Sequence, residues 1–440
     1  MTRNSGYALL AGLAAVLVLV STAVVVGVSG AGGGSAPGPR RAGSADPASS
    51  ATWVGTWSAA AAAPEAGTRD GFADMSLRNV VHTSVGGTRA RIHLSNLFGE
   101  RPLTISRATL ALAAAPSNPT AAAGSMRPLT FDERRSVTIP AGEKVTSDPV
   151  RLRVPAAADL LVSTYSPTPS GPVTHHPHTR QTNYLAEGEH TADPAATAYT
   201  RQTPFWRYLT AVDVWTTQAE GAVVVLGDSL TDGITSSPGA NRRWTDFLAE
   251  RLRTERDAPR LSVLGAGISG NRILIDGQDY TPNNGPAALD RIERDALART
   301  GVRTVIVELG LNDLLKHPRQ LDPAAVLDGL RELVRIAHAH DVRVLGGTLT
   351  PFAGHGGHTP RAEAARQAVN DRIRAGDVFD AVVDFDAALR DPAHPRRLRA
   401  AYDSGDHLHP NDNGYRAMAQ AVDLALLTAD TPARVPAAHH

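Results

Sequence analysis

The strongest constraint in this sequence is an alternation, beginning near residue 219, between short apolar runs and amphipathic segments. The apolar runs cover residues 222–226, 261–264, 304–309, 342–345 and 381–385. Uninterrupted runs of this length are typical of buried parallel strands. Between them, apolar residues recur at helical spacing, as in 326–337. Strands and helices that alternate through right-handed crossovers predict a doubly wound parallel sheet, with a ligand site at the carboxyl ends of its strands.

The preceding residues 52–217 follow a different pattern. Apolar and charged side chains alternate there with period two, as in 88–94, which is typical of strands with one buried face. Gly and Pro separate these strands, and no long helical pattern interrupts them. We therefore predict an all-β sandwich for this region. Within it, residues 80–85 and 88–94 flank Gly86-Gly87 and are predicted to pair as a hairpin.

The amino terminus has the composition of an export signal. Arg3 precedes a long apolar run, and small residues follow it. We predict that residues 1–30 are a cleaved signal peptide or an uncleaved anchor, because the run is nearly long enough to span a bilayer. A Gly, Ala, Ser and Pro-rich linker is predicted over 31–51. The protein is then expected to be secreted, or anchored to the outer face of the cytoplasmic membrane.

The second domain is predicted to cover residues 219–430, with a disordered tail over 431–440. Composition removes several classes of function. The chain has 44 basic and 44 acidic residues, so it has no net charge to attract nucleic acid. It has no Cys, which excludes disulfides, thiolate zinc sites and a cysteine nucleophile. Membrane association is expected only through the amino terminus.

Directly after the first apolar run comes Gly227-Asp228-Ser229, so a serine is presented on a turn after a strand. A serine hydroxyl needs a base within hydrogen-bond reach to become a nucleophile. It also needs donors for the oxyanion that forms when it attacks a carbonyl. Taken alone, the tripeptide fits a structural turn or a helix cap equally well.

Candidate partners follow the other runs and should meet the serine at the same edge of the sheet. Gly270 and Asn312 follow the second and third runs, and Asp406 and His409 follow the fifth. A glycine lets its backbone N–H approach a substrate, and an asparagine amide is a neutral donor suited to an oxyanion. Asp406 can hold the imidazole of His409 so that its other nitrogen accepts a serine proton. We expect His407 to point away in an extended segment.

As a set, these blocks resemble the SGNH or GDSL-type hydrolases, a family named for a serine, glycine, asparagine and histidine. The corresponding residues here are Ser229, Gly270, Asn312 and His409. The resemblance implies a flavodoxin-like sheet of strand order 2-1-3-4-5, and ester or thioester hydrolysis without a metal or cofactor. It also implies an oxyanion hole made by the Ser229 N–H, the Gly270 N–H and the Asn312 side chain. The β-rich region resembles, more weakly, the amino-terminal domain of some exported bacterial members.

These features predict a serine esterase that forms an acyl-enzyme on Ser229, with His409 as general base and Asp406 orienting it. The substrate is expected to be a small-molecule or polysaccharide ester, and deacetylation of a polysaccharide suits an exported enzyme. We keep three alternatives. They are acyl transfer to a sugar hydroxyl, lipase action on short aliphatic esters, and a non-catalytic carbohydrate-binding surface protein.

Other polar and aromatic groups have interpretations that compete with function. A cluster of histidines has the spacing of metal ligands, but it lies among Thr, Pro and Gly, and we predict a solvated loop at His175, His176, His178 and His190. Two histidines after the fourth run are candidate substrate contacts, with a mobile loop as the alternative: His355 and His358.

Three aspartates near the predicted site could suggest a cation, but we interpret them as turn or helix-end residues: Asp228, Asp232 and Asp313. Four tryptophans of the β-rich region could form a sugar-stacking surface. We predict core or interdomain packing for Trp53, Trp57, Trp206 and Trp215. No metal site is predicted.

Overall fold

The computed structural model describes residues 50–277 and 281–428. The predicted leader, nearly all of the predicted linker and the predicted tail lie outside these residues. Within the described ranges, no helix combines the length and the apolar character that crossing a membrane requires.

The described residues before 220 form strands. In chain order these are β1 (Thr52–Ser58), β2 (Ala63–Pro64), β3 (Met75–His82), β4 (Gly87–Ser95), β5 (Leu103–Ile105), β6 (Arg107–Leu112), β7 (Arg127–Pro128), β8 (Val137–Ile139), β9 (Lys144–Thr146), β10 (Val150–Val154), β11 (Asp159–Ser166), β12 (Thr174–His176), β13 (Asn183–Glu187), β14 (Arg201–Thr203), β15 (Trp206–Arg207) and β16 (Leu209–Thr216).

Two antiparallel sheets dominate this region, which we call the β-rich half. One has the order β1-β16-β4-β10, with β9 also paired to β4, and the other has the order β14-β13-β3-β11-β6-β7. Apolar side chains from both sheets share one buried cluster, including Ile92 and Val212 from the first and Leu77 and Leu160 from the second. The prediction of an antiparallel β-rich domain is confirmed, because alternating side chains of two sheets meet in one core.

The predicted hairpin of 80–85 with 88–94 is wrong. Strand β3 pairs with β11 and β13, whereas β4 pairs with β16, β10 and β9. Gly86 and Gly87 therefore connect the two sheets instead of turning one ribbon. A Cβ on Gly86 would lie 2.5 Å from the carbonyl oxygen of Val154, and one on Gly87 would lie 2.7 Å from that of Trp215. These glycines are needed for close backbone packing.

The remaining strands form a parallel sheet in the second part of the chain, residues 219–428, which we call the α/β half. The strands are β17 (Gly221–Gly227), β18 (Leu261–Gly267), β19 (Val302–Glu308), β20 (Arg343–Gly347) and β21 (Ala381–Val383). Their order is β18-β17-β19-β20-β21, with every neighbouring pair parallel. The expected order 2-1-3-4-5 of a doubly wound, flavodoxin-like sheet is confirmed.

The α-helices of this half are α1 (Ser229–Asp232), α2 (Trp244–Thr254), α3 (Ala288–Ile292), α4 (Leu311–Leu315), α5 (Pro323–His338), α6 (Pro360–Arg374), α7 (Phe385–Leu389) and α8 (Asp412–Ala421). Pro282–Asn284 and Leu424–Leu427 are 3-10 helices, and Glu293–Leu297 is a π-helix. Along β17, Val224 and Leu226 join the apolar cluster on one face of the sheet, whereas Val223 and Val225 join that on the other. Helices on both faces explain why this strand is apolar throughout.

The two halves pack directly against each other within one compact unit that begins at Ser50. The Ser58 hydroxyl of β1 donates to the carbonyl oxygen of Gly265 in β18 at 2.7 Å. A Cβ on Gly55 would lie 2.7 Å from the Leu264 side chain, so a glycine is required where the sheets approach. The edge of the parallel sheet near Ser229 is therefore close to the β-rich half, although the domain boundary at 217–219 stays a prediction.

Candidate active site

Ser229 is the first residue of α1, directly beyond the carboxyl end of β17. The Asp228 carboxylate accepts the Leu230 N–H at 3.0 Å and caps this one-turn helix. A Cβ on Gly227 would lie 2.0 Å from the Thr231 hydroxyl oxygen, so only glycine fits at the end of the strand. We call the edge of the parallel sheet formed by the carboxyl ends of β17 and β19, where Ser229 lies, the serine edge.

The structure joins Ser229, His409 and Asp406 in one hydrogen-bonded chain. His409 Nε2 lies 2.8 Å from Ser229 Oγ, and His409 Nδ1 lies 2.6 Å from Asp406 Oδ2. Asp406 Oδ1 also accepts the backbone N–H groups of Leu408 and His409, at 2.9 and 2.8 Å. Burial alone would raise the pKa of Asp406, but the hydrogen bonds from His409 and Leu408 outweigh it and lower the pKa to about 2. An ionised Asp406 keeps the proton on Nδ1, which leaves Nε2 to accept from the serine.

His407 does not compete for the serine. Its backbone has a φ of 62°, so the expected extended conformation is wrong. Its Nδ1 lies 2.6 Å from a carboxylate oxygen of Asp403, and the same carboxylate accepts its backbone N–H at 3.1 Å. These local bonds favour the left-handed turn and direct the ring to Asp403.

Asn312 and Gly270 reach the serine edge from the two neighbouring loops. Asn312 Nδ2 donates to Asp228 Oδ2 at 2.7 Å, which leaves its second N–H for another acceptor. Gly270 has a φ of 78°, and a Cβ there would lie 2.5 Å from the Asn284 side-chain oxygen and 2.8 Å from Lys316 Cε. A side chain at 270 would therefore be strained and obstructed.

A buried carboxyl pair lies behind the serine turn. Glu308, the last residue of β19, accepts the Thr231 hydroxyl at 3.1 Å and is hydrogen-bonded to Asp228. Burial raises the pKa of Asp228 to about 6, whereas burial and the charge of Asp228 raise the pKa of Glu308 well above its ordinary value. The pair therefore holds a proton near neutral pH. Glu308 was not among the site residues predicted from the sequence. A glutamate at the end of an apolar run, where the predicted ligand site lies, could have indicated it.

The other two aspartates of the suggested cation cluster also bind donors within the protein. Asp232 accepts the Ser269 hydroxyl at 2.6 Å. Asp313 accepts the backbone N–H groups of Ile273 and Leu274 at 2.9 and 3.2 Å. Burial raises the pKa of both aspartates to about 6. Over residues 50–277 and 281–428, no group of three or more His, Asp or Glu side chains is arranged to hold a metal ion.

The solvated loop predicted around His175 and His176 is wrong. Both residues belong to β12 and are only 3% and 5% exposed. Their Nδ1 atoms each lie 2.8 Å from a backbone carbonyl oxygen, of Ala63 and Ala60 respectively. Burial lowers the pKa of both rings to about 4, so they are neutral. His178 is exposed, as predicted.

The remaining candidates separate into packing groups and one neighbour of the serine edge. The rings of Trp57 and Trp206 are buried and meet edge to face at 4.8 Å, as the packing interpretation predicts. The ring of His358 packs on Phe352 at 5.1 Å. His355 is half-buried, and burial lowers its pKa against the opposing charge of nearby Asp406.

Of the other residues suggested from the sequence, the half-buried rings of Trp53 and Trp215 lie 5.7 Å apart. His190 Nδ1 lies 2.8 Å from Asp193 Oδ2. Neither pair contributes to the serine edge, and the roles of His355 and His358 as substrate contacts stay predictions.

Comparison with known proteins identifies the region that carries this geometry. Residues 225–417 match the model of the GDSL-like lipase/acylhydrolase family. No curated protein matches the chain in sequence.

Several solved structures are similar to parts of the chain. A GDSL-like lipase from Bacteroides thetaiotaomicron is 19% identical over 47% of this chain and 88% of its own, with a TM-score of 0.34. A member of the lipolytic G-D-S-L family from Veillonella parvula is 18% identical over 46% of this chain and 94% of its own, with a TM-score of 0.32. A family two carbohydrate esterase from Clostridium thermocellum is 15% identical over 79% of this chain and 89% of its own, with a TM-score of 0.35.

The family match covers the serine turn and the His409 loop, which the structure brings together. Residues 225–417 therefore form a domain that matches the GDSL-like lipase/acylhydrolase family, and the chain is a carboxylic ester hydrolase.

Proposed function

We propose that the chain hydrolyses carboxylic esters through an acyl-enzyme on Ser229. The observation that carries this proposal is the continuous contact from Asp406 through His409 to Ser229, at 2.6 and 2.8 Å. His409 Nε2 takes the Ser229 proton while Oγ forms a bond to the ester carbonyl carbon. The tetrahedral intermediate then collapses, and the departing alcohol receives that proton from His409. A water molecule repeats both steps on the acyl group and releases the acid.

The oxyanion of each tetrahedral intermediate needs donors that are already in place. We assign this role to the backbone N–H groups of Ser229 and Gly270 and to Asn312 Nδ2. The bond from Asn312 to Asp228 supports the assignment, because it fixes the plane of the amide.

We further propose a short acyl group on a polar alcohol as the substrate, with an acetylated polysaccharide as the leading class. The proposal is supported by an open, polar setting. The Asp406 and His409 side chains are 42% and 15% exposed, and His355 lies beside them. Such a surface suits a hydroxylated chain that approaches from solvent better than a long acyl tail, which requires an apolar cleft. The leader composition supports a site of action outside the cell.

The test is kinetic. We expect Ser229→Ala to lower kcat for p-nitrophenyl acetate by about 10⁴-fold or more. Ser404→Ala, an exposed serine in the His409 loop, is the matched control and should keep the wild-type rate. A Ser229→Ala enzyme with wild-type turnover would contradict the proposal.

A panel of acetyl, butyryl and octanoyl esters, run beside acetate release from acetylated xylan, tests the substrate class. Turnover that falls with chain length and acetate release from xylan support a deacetylase. A preference for octanoyl esters would instead support the lipase alternative. Acetyl transfer to an added sugar in preference to water would support the acyltransferase alternative.

The proposed location is tested by expressing the chain with its own leader in a bacterial host that exports proteins. Sequencing the amino terminus of the exported protein shows whether the leader has been removed near residue 30. Protein that stays in the cytoplasm would contradict export.

A further inference from the structure

Asp232 ties the loop that carries Gly270 to the helix that begins at Ser229. It is the last residue of α1, and its side chain is 3% exposed. Its carboxylate accepts the Ser269 hydroxyl at 2.6 Å and also the Ser269 backbone N–H. Because Ser269 immediately precedes Gly270, these two hydrogen bonds restrict the distance between the backbone of Gly270 and the helix that begins at Ser229.

The same carboxylate meets a side chain from the β-rich half. His176 of β12 is 5% exposed, and its Nε2 lies 3.5 Å from Asp232 Oδ1. Its Nδ1 is held 2.8 Å from the Ala60 carbonyl oxygen, so Nδ1 carries the ring proton and donates it there. The ring also packs against Trp206 at 5.3 Å. This packing fixes the unprotonated Nε2 in van der Waals contact with the Asp232 carboxylate, which limits where that carboxylate can lie.

Further contacts hold the segment that follows α1 against the β-rich half. The Ser117 hydroxyl donates to the Gly239 carbonyl oxygen at 2.7 Å, and the Gly239 N–H donates to the Arg180 carbonyl oxygen at 2.7 Å. The Arg243 guanidinium donates to the Thr179 carbonyl oxygen. The two residues of each bond belong to different halves, so the segment that follows α1 is held from outside the region that matches the family.

We propose that His176 and Asp232 are positioning residues through which the β-rich half sets the spacing of the two backbone donors for the oxyanion. The inference rests on the proposed function, because it assigns no chemistry of its own. An oxyanion hole acts only when its donors lie within hydrogen-bond distance of the developing charge, and small displacements weaken it. A loosened Asp232 would allow the Gly270 loop to move away from Ser229.

The first test compares two neighbouring histidines. His176→Phe removes both ring nitrogens, so the bond to the Ala60 carbonyl oxygen is lost and the ring is no longer fixed beside Asp232. His175→Phe is the matched control, because His175 is equally buried and makes the same kind of bond, to Ala63, but its ring faces Phe205. We expect His176→Phe to lower kcat about tenfold with KM nearly unchanged, and His175→Phe to lower the melting temperature while kcat stays within about twofold.

Rates are expressed per active site, counted by titration with a fluorophosphonate, so that misfolded protein does not lower kcat. Wild-type kcat in His176→Phe, or an equal loss in His175→Phe, would overturn the inference. Neither result would affect the proposed function, which fails only if Ser229→Ala stays active.

A second variant keeps the test decisive if His176→Phe does not fold. Ser269→Ala removes one hydroxyl from the α/β half and leaves His176 in place. We expect a fall in kcat of about five- to tenfold without a change in the pH dependence, since Ser229, His409 and Asp406 are untouched. Where both single variants fold, the double variant Ser269→Ala with His176→Phe should lose less than the product of the two single losses, because both act through Asp232. A wild-type kcat in Ser269→Ala, or independent losses in the double variant, would overturn the inference.

Discussion

The β-rich half and the serine edge both bury carboxylates, but they surround them differently. In the β-rich half, Asp159 and Asp213 each contact a histidine ring, at 2.6 and 2.8 Å, and Asp213 also binds Arg91. Burial opposes ionisation of these two groups, yet the hydrogen bonds outweigh it and lower their pKa values. At the serine edge, Asp228 and Glu308 contact neutral donors and each other, and burial raises their pKa values.

This difference separates stability from function. A carboxylate whose pKa is lowered by its hydrogen bonds contributes to folding as long as it is charged. A carboxylate that is buried among neutral donors is costly to ionise, and such groups are concentrated where donors must be oriented for a reaction. A neutral amide replacement should therefore lower turnover where the carboxylate orients a group of the serine edge, and should lower the free energy of unfolding in the β-rich half.

The largest effect is expected at Asp406, which combines both behaviours because it is a carboxylate with a lowered pKa that orients a group of the proposed site. We expect Asp406→Asn to lower kcat by about 10²- to 10⁴-fold, since the amide no longer fixes the imidazole tautomer. The pKa of Asp406 is about 2, so the carboxylate is ionised at every practical assay pH. Removing its charge disfavours the imidazolium, and the acidic limb of the pH–rate profile should move to lower pH. An unchanged profile with full activity would contradict the assignment.

The next effect is expected for Asp228→Asn. The new amide cannot accept from Leu230 and Asn312 through both of its polar atoms, so one of these donors must turn away. If Asn312 turns, one oxyanion donor is lost, and kcat should fall by about 10²-fold with little change in KM. Steady-state kinetics and thermal unfolding measured on the same preparation decide the point. A large loss of melting temperature with normal kcat would show that Asp228 stabilises the fold and does not support turnover, which contradicts the difference drawn between the two regions.

Asp213→Asn is the counterpart in the β-rich half. It removes the charge that binds Arg91, His93 and Thr300. We expect about 2 kcal/mol less free energy of unfolding, with kcat within about twofold. Because the folded-state pKa of Asp213 is depressed, its contribution is present above its unfolded pKa and is lost as pH falls through the folded value. The difference between variant and wild type should therefore shrink in acid, and urea unfolding at several pH values measures it.

The smallest effect is expected for Glu308→Gln. Glu308 has a raised pKa, so it is protonated near neutral pH and a neutral glutamine replaces it closely. We expect kcat within about threefold of wild type. A raised folded-state pKa gives stability that is lost as pH rises through that value, and the variant lacks this loss. The difference in melting temperature should therefore shift in favour of the variant as pH rises from the ordinary glutamate pKa of 4.5 through the raised pKa of Glu308, and a difference that does not change with pH would argue that Glu308 is ionised.

The site could be predicted from the sequence to the extent that topology determines it. Parallel strands end at one edge, so Ser229 and His409 could be expected to meet despite the 180 positions between them. Asp406 and His409 are three positions apart in one loop, so their contact could be predicted from the local sequence. The pattern of apolar runs and helices predicted a doubly wound parallel sheet, whereas its strand order was implied only by the family resemblance.

What failed depended on contacts between distant segments. Alternation with period two predicts which side chains of β3 and β4 are buried, but it does not predict the strands with which they pair. The glycines at 86 and 87 suggested a hairpin turn, whereas β3 and β4 belong to different sheets. The burial of His176 requires the carbonyl group of Ala60, 116 positions away, and a ring from β15. No local pattern around a histidine records such a neighbour.

The most direct measurement traps the covalent intermediate. The protein is mixed with p-nitrophenyl acetate, quenched in acid within the first turnover, digested, and analysed by peptide mass spectrometry. We expect one acetyl group on the peptide that contains Ser229. This acetyl group should be absent from Ser229→Ala and should accumulate more slowly in Asp406→Asn. Rapid hydrolysis with the acetyl group on another residue, or undiminished hydrolysis by Ser229→Ala, would contradict it.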